Sequence, residues 1–194
     1  MGTTPKILAL AGSLRRDSLN KKLAQVAAAA ARAAGAEVTY LDLRDLPLPI
    51  YDGDIEAAGF PDNVRRLKSL MKEHQGLLVA SPEYNSSVSG ALKNAIDWAS
   101  RAEPNEAPLT CFKGKVAGLM SASPGALGGL RGLVTLRSIL GNIQVLVIPE
   151  QVTVTTANEA FSPDGRLIDP KQQASIDALA KRVVQLVRAL EVPR

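Results

Sequence analysis

The chain has 194 residues, a length that points to a single domain over 1–194 with a well-covered core. With 46% hydrophobic and 22% charged residues its composition excludes a disordered or fibrous chain. A net charge of +4 from dispersed lysines and arginines, with only 4% aromatics, argues against a nucleic-acid surface and leaves room for an anionic small ligand. The lone cysteine, Cys111, rules out an intrachain disulfide and a cysteine-ligated zinc site. The lone histidine, His74, would have to serve any Ser-His-Asp or Cys-His mechanism. Its place at the polar end of a helical pattern, just before Gly76, predicts a surface position instead. No metal site is expected. Without a basic-then-apolar leader or an apolar run near the ~20 residues that span a bilayer, the expectation is a cytoplasmic protein with no membrane insertion.

Strand and helix patterns alternate along the chain. The apolar run 7–11 predicts a buried strand, and the alanine-rich stretch from Lys22 onward a helix that Gly35 closes. A second strand is expected over 37–41, followed by a long connection over 42–59. Its prolines stop regular structure, and its apolar residues suggest a wall beside a ligand. Val64, Leu67, Leu70 and Met71 give 61–74 a helical period, and 76–80 reads as a strand covered on both faces. Then come a helix over 89–101, a strand over 116–120, a helix over 127–140 and a fifth strand over 144–148. The stretch 150–170 reads as irregular, with a tight turn at Asp164-Gly165, before a last helix over 172–190. Five strands separated by helices imply an α/β fold: a parallel, doubly wound sheet with helices on both faces. Ligands of such sheets bind outside the carboxyl ends of the strands, at the switch point.

Three loops fall there. The first, 12–20, joins the opening strand to its helix and holds Ser13, Arg15, Arg16, Ser18 and Asn20. First-turn amides lacking helical partners, the helix dipole, two hydroxyls and two guanidiniums together suit a terminal phosphate. A plain strand–turn–helix with Ser18 as N-cap and surface arginines is the competing reading. The second, 81–90, holds Pro82, Glu83, Tyr84 and Asn85. Tyr84 offers a planar face for a flat heterocycle, and the alternative is a surface turn in which Ser89 caps the next helix. A loop glutamate such as Glu83 is expected to be solvated. The third, 121–129, has small side chains that admit close approach to a ligand. Neither a Gly-x-Gly-x-x-Gly nor a Walker sequence occurs, which leaves a mononucleotide.

Gly12-Ser13-Leu14-Arg15 with Ser18 and Asn20, followed by Pro82-Glu83-Tyr84-Asn85 and the run Ser89 to Trp98, resembles the NAD(P)H-dependent FMN reductase family, which includes quinone and chromate reductases. The 46–49, 123–125 and 161–165 segments fit the same pattern. The resemblance implies a flavodoxin-like three-layer sandwich, strand order 2-1-3-4-5. It implies that Ser13, Arg15, Ser18, Leu19 and Asn20 hold the FMN phosphate, that Pro82, Glu83, Tyr84 and Asn85 line the ring, and that Ser121, Ser123 and Gly125 close its other edge. NADPH or NADH would then donate hydride to flavin N5 and an acceptor (quinone, free flavin, azo dye or chromate) would follow in a ping-pong cycle, with no side chain as catalyst. A homodimer or homotetramer is implied, and the apolar residues spread over more than one face of the 127–140 helix belong either to its interface or to the domain's own core, as does Trp98. Non-catalytic alternatives are a flavodoxin-like electron carrier and a mononucleotide-binding regulator.

Overall fold

The computed structural model describes residues 3–190. Its main sheet is built from β1 (Lys6–Ala11), β2 (Glu37–Asp42), β3 (Gly76–Ala80), β6 (Val116–Ala122) and β7 (Leu146–Val154). All pairings are parallel, in the order β2-β1-β3-β6-β7, which is the order 2-1-3-4-5 of a flavodoxin-like sheet. A separate antiparallel hairpin, β4 (Glu83–Tyr84) with β5 (Ser87–Val88), stands in the loop after β3.

The alternation of side chains along each strand divides the core into two layers. Ile7, Ala9 and Ala11 of β1 meet α1 (Leu19–Ala33) and α6 (Pro170–Leu190). Leu8 and Leu10 meet the other layer: α3 (Asp62–Glu73), α4 (Gly90–Ala99) and α5 (Leu130–Asn142). Alanines 24, 27, 28 and 31 are all buried, so α1 lies close to the sheet. Ser18 caps it, accepting from the Lys21 amide, and Gly35 follows its end at φ +85°. No helix among the described residues is long and apolar enough to cross a membrane.

Several expectations need correction. His74 is buried: its Nδ1 donates to the Leu70 carbonyl at 2.7 Å, and its Nε2 lies 2.8 Å from the Thr39 hydroxyl. It precedes β3, at the end of the sheet opposite the strands' carboxyl ends, where the Lys115 ammonium donates to its carbonyl. The fifth strand runs on through Val154, so 150–154 is not irregular. Pro149 lies within it, but β7 is an edge strand with a register irregularity, and proline is tolerated in both settings. The 42–59 connection contains a short helix, α2 (Gly53–Ala58), and of the apolar residues expected to form a wall Leu46 enters the core while Ile50 is exposed. Trp98 is fully buried, its indole N–H donating to the Pro49 carbonyl at 2.8 Å. The Asp164-Gly165 turn is present, closed by Gly165 N–H to Ser162 O at 2.9 Å.

Candidate functional site

β2 and β3 flank β1 on opposite sides, so the chain reverses its direction across the sheet at the carboxyl ends of β1 and β3. The loops after these strands are tied together. Gly12 N–H donates to the Ala80 carbonyl at 2.9 Å, and the Ser89 hydroxyl donates to the Gly12 carbonyl. A Cβ on Gly12 would lie 2.8 Å from the Leu92 side chain, so only glycine lets the loop sit this close to α4.

The 12–20 loop ends at the first turn of a 15-residue helix that has no acidic residue in that turn. Ser13 and Ser18 are buried and their oxygens accept backbone amides, Arg15 N–H at 3.3 Å and Lys21 N–H at 3.4 Å. Their hydroxyl protons remain to be donated. Arg15 and Arg16 are exposed, and neither guanidinium has a side-chain partner among the described residues. Asn20 behaves differently from the other polar residues of the loop. Its side-chain amide donates to the Ala122 carbonyl and accepts from the Ala122 N–H, both at 2.9 Å, which staples α1 to the end of β6. Lys21, also buried, is neutralised by Asp42 at 2.6 Å. In the loop itself the positive charge left open is that of Arg15 and Arg16, while Lys22 of the first turn lies over the Phe161 ring at 5.9 Å.

The loop after β3 folds into the β4–β5 hairpin, missed in the sequence because its turn lacks glycine. Asn85 and Ser86 supply the two positive φ angles, 51° and 63°, that a two-residue turn of this kind requires. Ser81 starts the loop, with its N–H on the Met120 carbonyl at 2.9 Å. Tyr84 is 50% exposed. Glu83 is not solvated as expected. Its carboxylate accepts from the Gly132 amide at 3.0 Å and from the Arg131 guanidinium at 3.1 Å. The Gly132 amide, with help from Arg131, outweighs burial and holds this carboxyl below the usual carboxylate range.

The loop after β6 completes the rim. Ser123 pairs with Val154 and Ala157 through its backbone, while its hydroxyl accepts from the Gly125 amide at 3.3 Å. Gly129 has φ +91°, and a Cβ there would overlap the Ser121 hydroxyl. That hydroxyl is buried without a hydrogen-bond partner among the described residues. A buried orphan hydroxyl is rare and marks a place where a polar ligand atom would be welcome. The donors fit a flavin mononucleotide: cationic and hydroxyl donors with free helix amides for a phosphate at one end, a hairpin bearing an exposed aromatic ring at the other.

Residues 5–159 match the family model described as NADPH-dependent FMN reductase. Among curated proteins, the chain is 38% identical over 186 residues to an NAD(P)H-dependent FMN reductase of Pseudomonas aeruginosa, covering 95% of this chain and 96% of the other. It is 35% identical over 177 residues to a quinone reductase of Escherichia coli, covering 90% and 89%. Among solved structures, FerB of Paracoccus denitrificans, a flavoenzyme NAD(P)H:(acceptor) oxidoreductase, superposes with a TM-score of 0.79 at 30% identity, covering 96% of this chain and 98% of that one. With its sheet order, its rim of three loops and its sequence in agreement, the chain belongs to the NADPH-dependent FMN reductase family, flavoprotein oxidoreductases for which FMN is the flavin and NAD(P)H the electron donor.

Proposed function

We propose that this chain holds FMN with its phosphate in the 12–20 loop and its ring between the β4–β5 hairpin and the 121–125 segment, and that electrons pass from NAD(P)H to a small-molecule acceptor such as a quinone or free flavin. The observation that carries the reading is the pair of unpartnered guanidiniums, Arg15 and Arg16, at the start of α1 beside the switch point. When bound, FMN supplies the electron-transfer chemistry at its ring. Everything else is positioning. Ser13 and Ser18 donate their hydroxyl protons to the phosphate, Arg15 pairs with its charge, and the Leu19 and Asn20 amides point along the helix dipole toward it. Asn20 acts through its staple to Ala122 rather than through its side-chain amide on the ligand. Pro82, Glu83, Tyr84 and Asn85 set one wall of the ring seat, and Ser121, Ser123 and Gly125 the other.

With one face of the ring open, donor and acceptor occupy the same opening by turns, and proximity supplies much of the rate. Steady-state kinetics with NADPH and a quinone test this: parallel double-reciprocal lines are expected, and intersecting lines refute the alternation. Relatives named quinone reductases favour a quinone among acceptors. The same reading assigns the apolar face of α5 to contacts between copies in a homodimer or homotetramer. On that face Val134 is 62% exposed and Leu130 39%, while Leu133, Leu136 and Leu140 turn inward. Sedimentation velocity of wild type and Val134→Glu checks the assignment, with dissociation expected in the variant.

A further inference from the structure

The ring seat carries a device that no local sequence pattern encodes. The hairpin has two residues in each strand and pairs only with itself, and a two-stranded ribbon of that size has little stability of its own. Its turn adds strain, because Asn85 and Ser86 both sit in the left-handed region that favours glycine. Something outside must hold it, and the first turn of α5 does. A Cβ on Gly132 would lie 3.2 Å from the Ser87 carbonyl and 3.3 Å from Glu83 Cβ, so the hairpin backbone rests directly on the helix. The α5 N-cap, Gly129, has no side chain to cap the turn, and the Glu83 carboxylate takes that place on the Gly132 amide. Arg131, one residue earlier, closes on the same carboxylate at 3.1 Å through both Nε and a terminal nitrogen. A carboxylate at a helix N-terminus, with charge-assisted bonds to an amide and a guanidinium, is a strong and directional link.

We propose that Glu83 is a positioning residue for the flavin ring: by fastening β4 to the amino end of α5 it turns Tyr84 toward the ligand opening and fixes the hairpin as a rigid seat. Successive residues of a strand face opposite sides, so a side chain pinned against α5 commits its neighbour Tyr84 to the other face. Tyr84 is indeed half exposed. This rests on the proposed FMN site, and the test separates the two.

Four variants are compared with wild type: Glu83→Gln, which keeps an oxygen for the Gly132 amide and loses the charge; Glu83→Ala, which loses both; Arg131→Ala; and Arg15→Ala. Three readouts are followed: amide hydrogen exchange over 83–88 in the ligand-free protein, the shift of the visible flavin band on binding, and the dissociation constants of FMN and of riboflavin, which has the ring without the phosphate. Glu83→Ala is expected to speed hairpin exchange and to weaken FMN and riboflavin by the same factor, about tenfold or more, with a reduced band shift. Glu83→Gln and Arg131→Ala fall between it and wild type, and they carry the comparison should the alanine variant fail to fold. Hairpin exchange that stays slow in Glu83→Ala overturns the inference, and so does faster exchange with an unchanged band shift and riboflavin affinity. In both cases a loss of FMN affinity in Arg15→Ala leaves the proposed site standing. If Arg15→Ala also binds FMN as wild type does, the site falls and the inference with it.

Discussion

Two charged clusters invite comparison: Glu83 with Arg131 at the rim, and Lys68 with Glu106 on the flank of α3. The second is the more perturbed electrostatically. Lys68 is fully buried, and its ammonium reaches Glu106 at 2.5 Å, the Arg101 carbonyl at 2.5 Å and Glu103 at 3.5 Å, over the face of Phe60 at 4.7 Å. Burial alone would raise the Glu106 carboxyl, but hydrogen bonds from Lys68 and Lys72 bring it down to about 2. Burial pushes the neighbouring Cys111 thiol up to about 11, which makes it inert. Perturbed groups concentrate in active sites, and on that criterion alone the flank would be chosen. Yet Lys68 has three protons and three partners, so nothing remains for a substrate. The rim is less perturbed but carries Arg15, Arg16 and the Ser13 and Ser18 protons uncommitted. Open donors at the carboxyl ends of the strands, rather than shifted ones elsewhere, are what favour the rim as the proposed site.

The flank cluster is a strut, and breaking it gives the largest expected effect. Lys68→Met leaves Glu106 with Lys72 and the Glu103 amide only, and unties the Arg101 carbonyl from α3. A loss of about 3 kcal/mol of stability is expected from urea unfolding, with FMN affinity per folded molecule unchanged. A fall in FMN affinity would join the two clusters functionally and erase the contrast. The pH dependence follows from the same pair. A carboxyl held below its ordinary value of about 4.3 stabilises the fold above that pH, and the contribution drains away as pH falls toward about 2. The stability gap between wild type and Lys68→Met should therefore narrow between pH 5 and pH 2, about where the free and folded carboxyls titrate.

Arg15→Ala tests the other cluster with the opposite profile. FMN binding should weaken by about 1.5–3 kcal/mol, the range for hydrogen bonds to a charged group, as read by fluorescence titration. The ligand-free protein should unfold within about 0.5 kcal/mol of wild type, because the exposed guanidinium has no partner to lose.

The same contrast explains what could be read from the residues alone. Two of the three central strands, β1 and β3, announced themselves as unbroken apolar runs between helical patterns, and with them came the sheet and its switch point. The placement of Ser13, Arg15 and Ser18 at the carboxyl end of β1 was legible because a β1–α1 loop has one place to be in such a sheet. The hairpin was not, because Asn85-Ser86 adopts a turn that usually advertises itself with glycine. The Glu83 cap and the Lys68 strut are contacts across 49 and 38 residues, which no local pattern encodes. His74 misled for a related reason: its place at a polar helix end suggested solvent, while one of its two partners, Thr39, comes from β2, 35 residues away. The Asn20 staple was not legible, since only the fold brings Ala122 to its amide.

The smallest effect is the most discriminating. Ser121 combines the two situations, being buried like Lys68 and uncommitted like Arg15. Leaving a hydroxyl without a partner costs roughly 1–3 kcal/mol, so deleting it should relieve the ligand-free protein. Ser121→Ala keeps the Cβ that faces Gly129 and is expected to raise unfolding stability by about 1 kcal/mol without FMN. Where Lys68→Met removes a satisfied group and loses stability, this change removes an unsatisfied one and gains it. If Ser121 meets the flavin as proposed, the stabilisation added by saturating FMN should shrink in the variant, so the two curves approach one another or cross. Urea unfolding with and without FMN reads both quantities. A ligand-free protein that is less stable than wild type would mean the hydroxyl already has a partner, and Ser121 would then belong with the strut rather than with the rim.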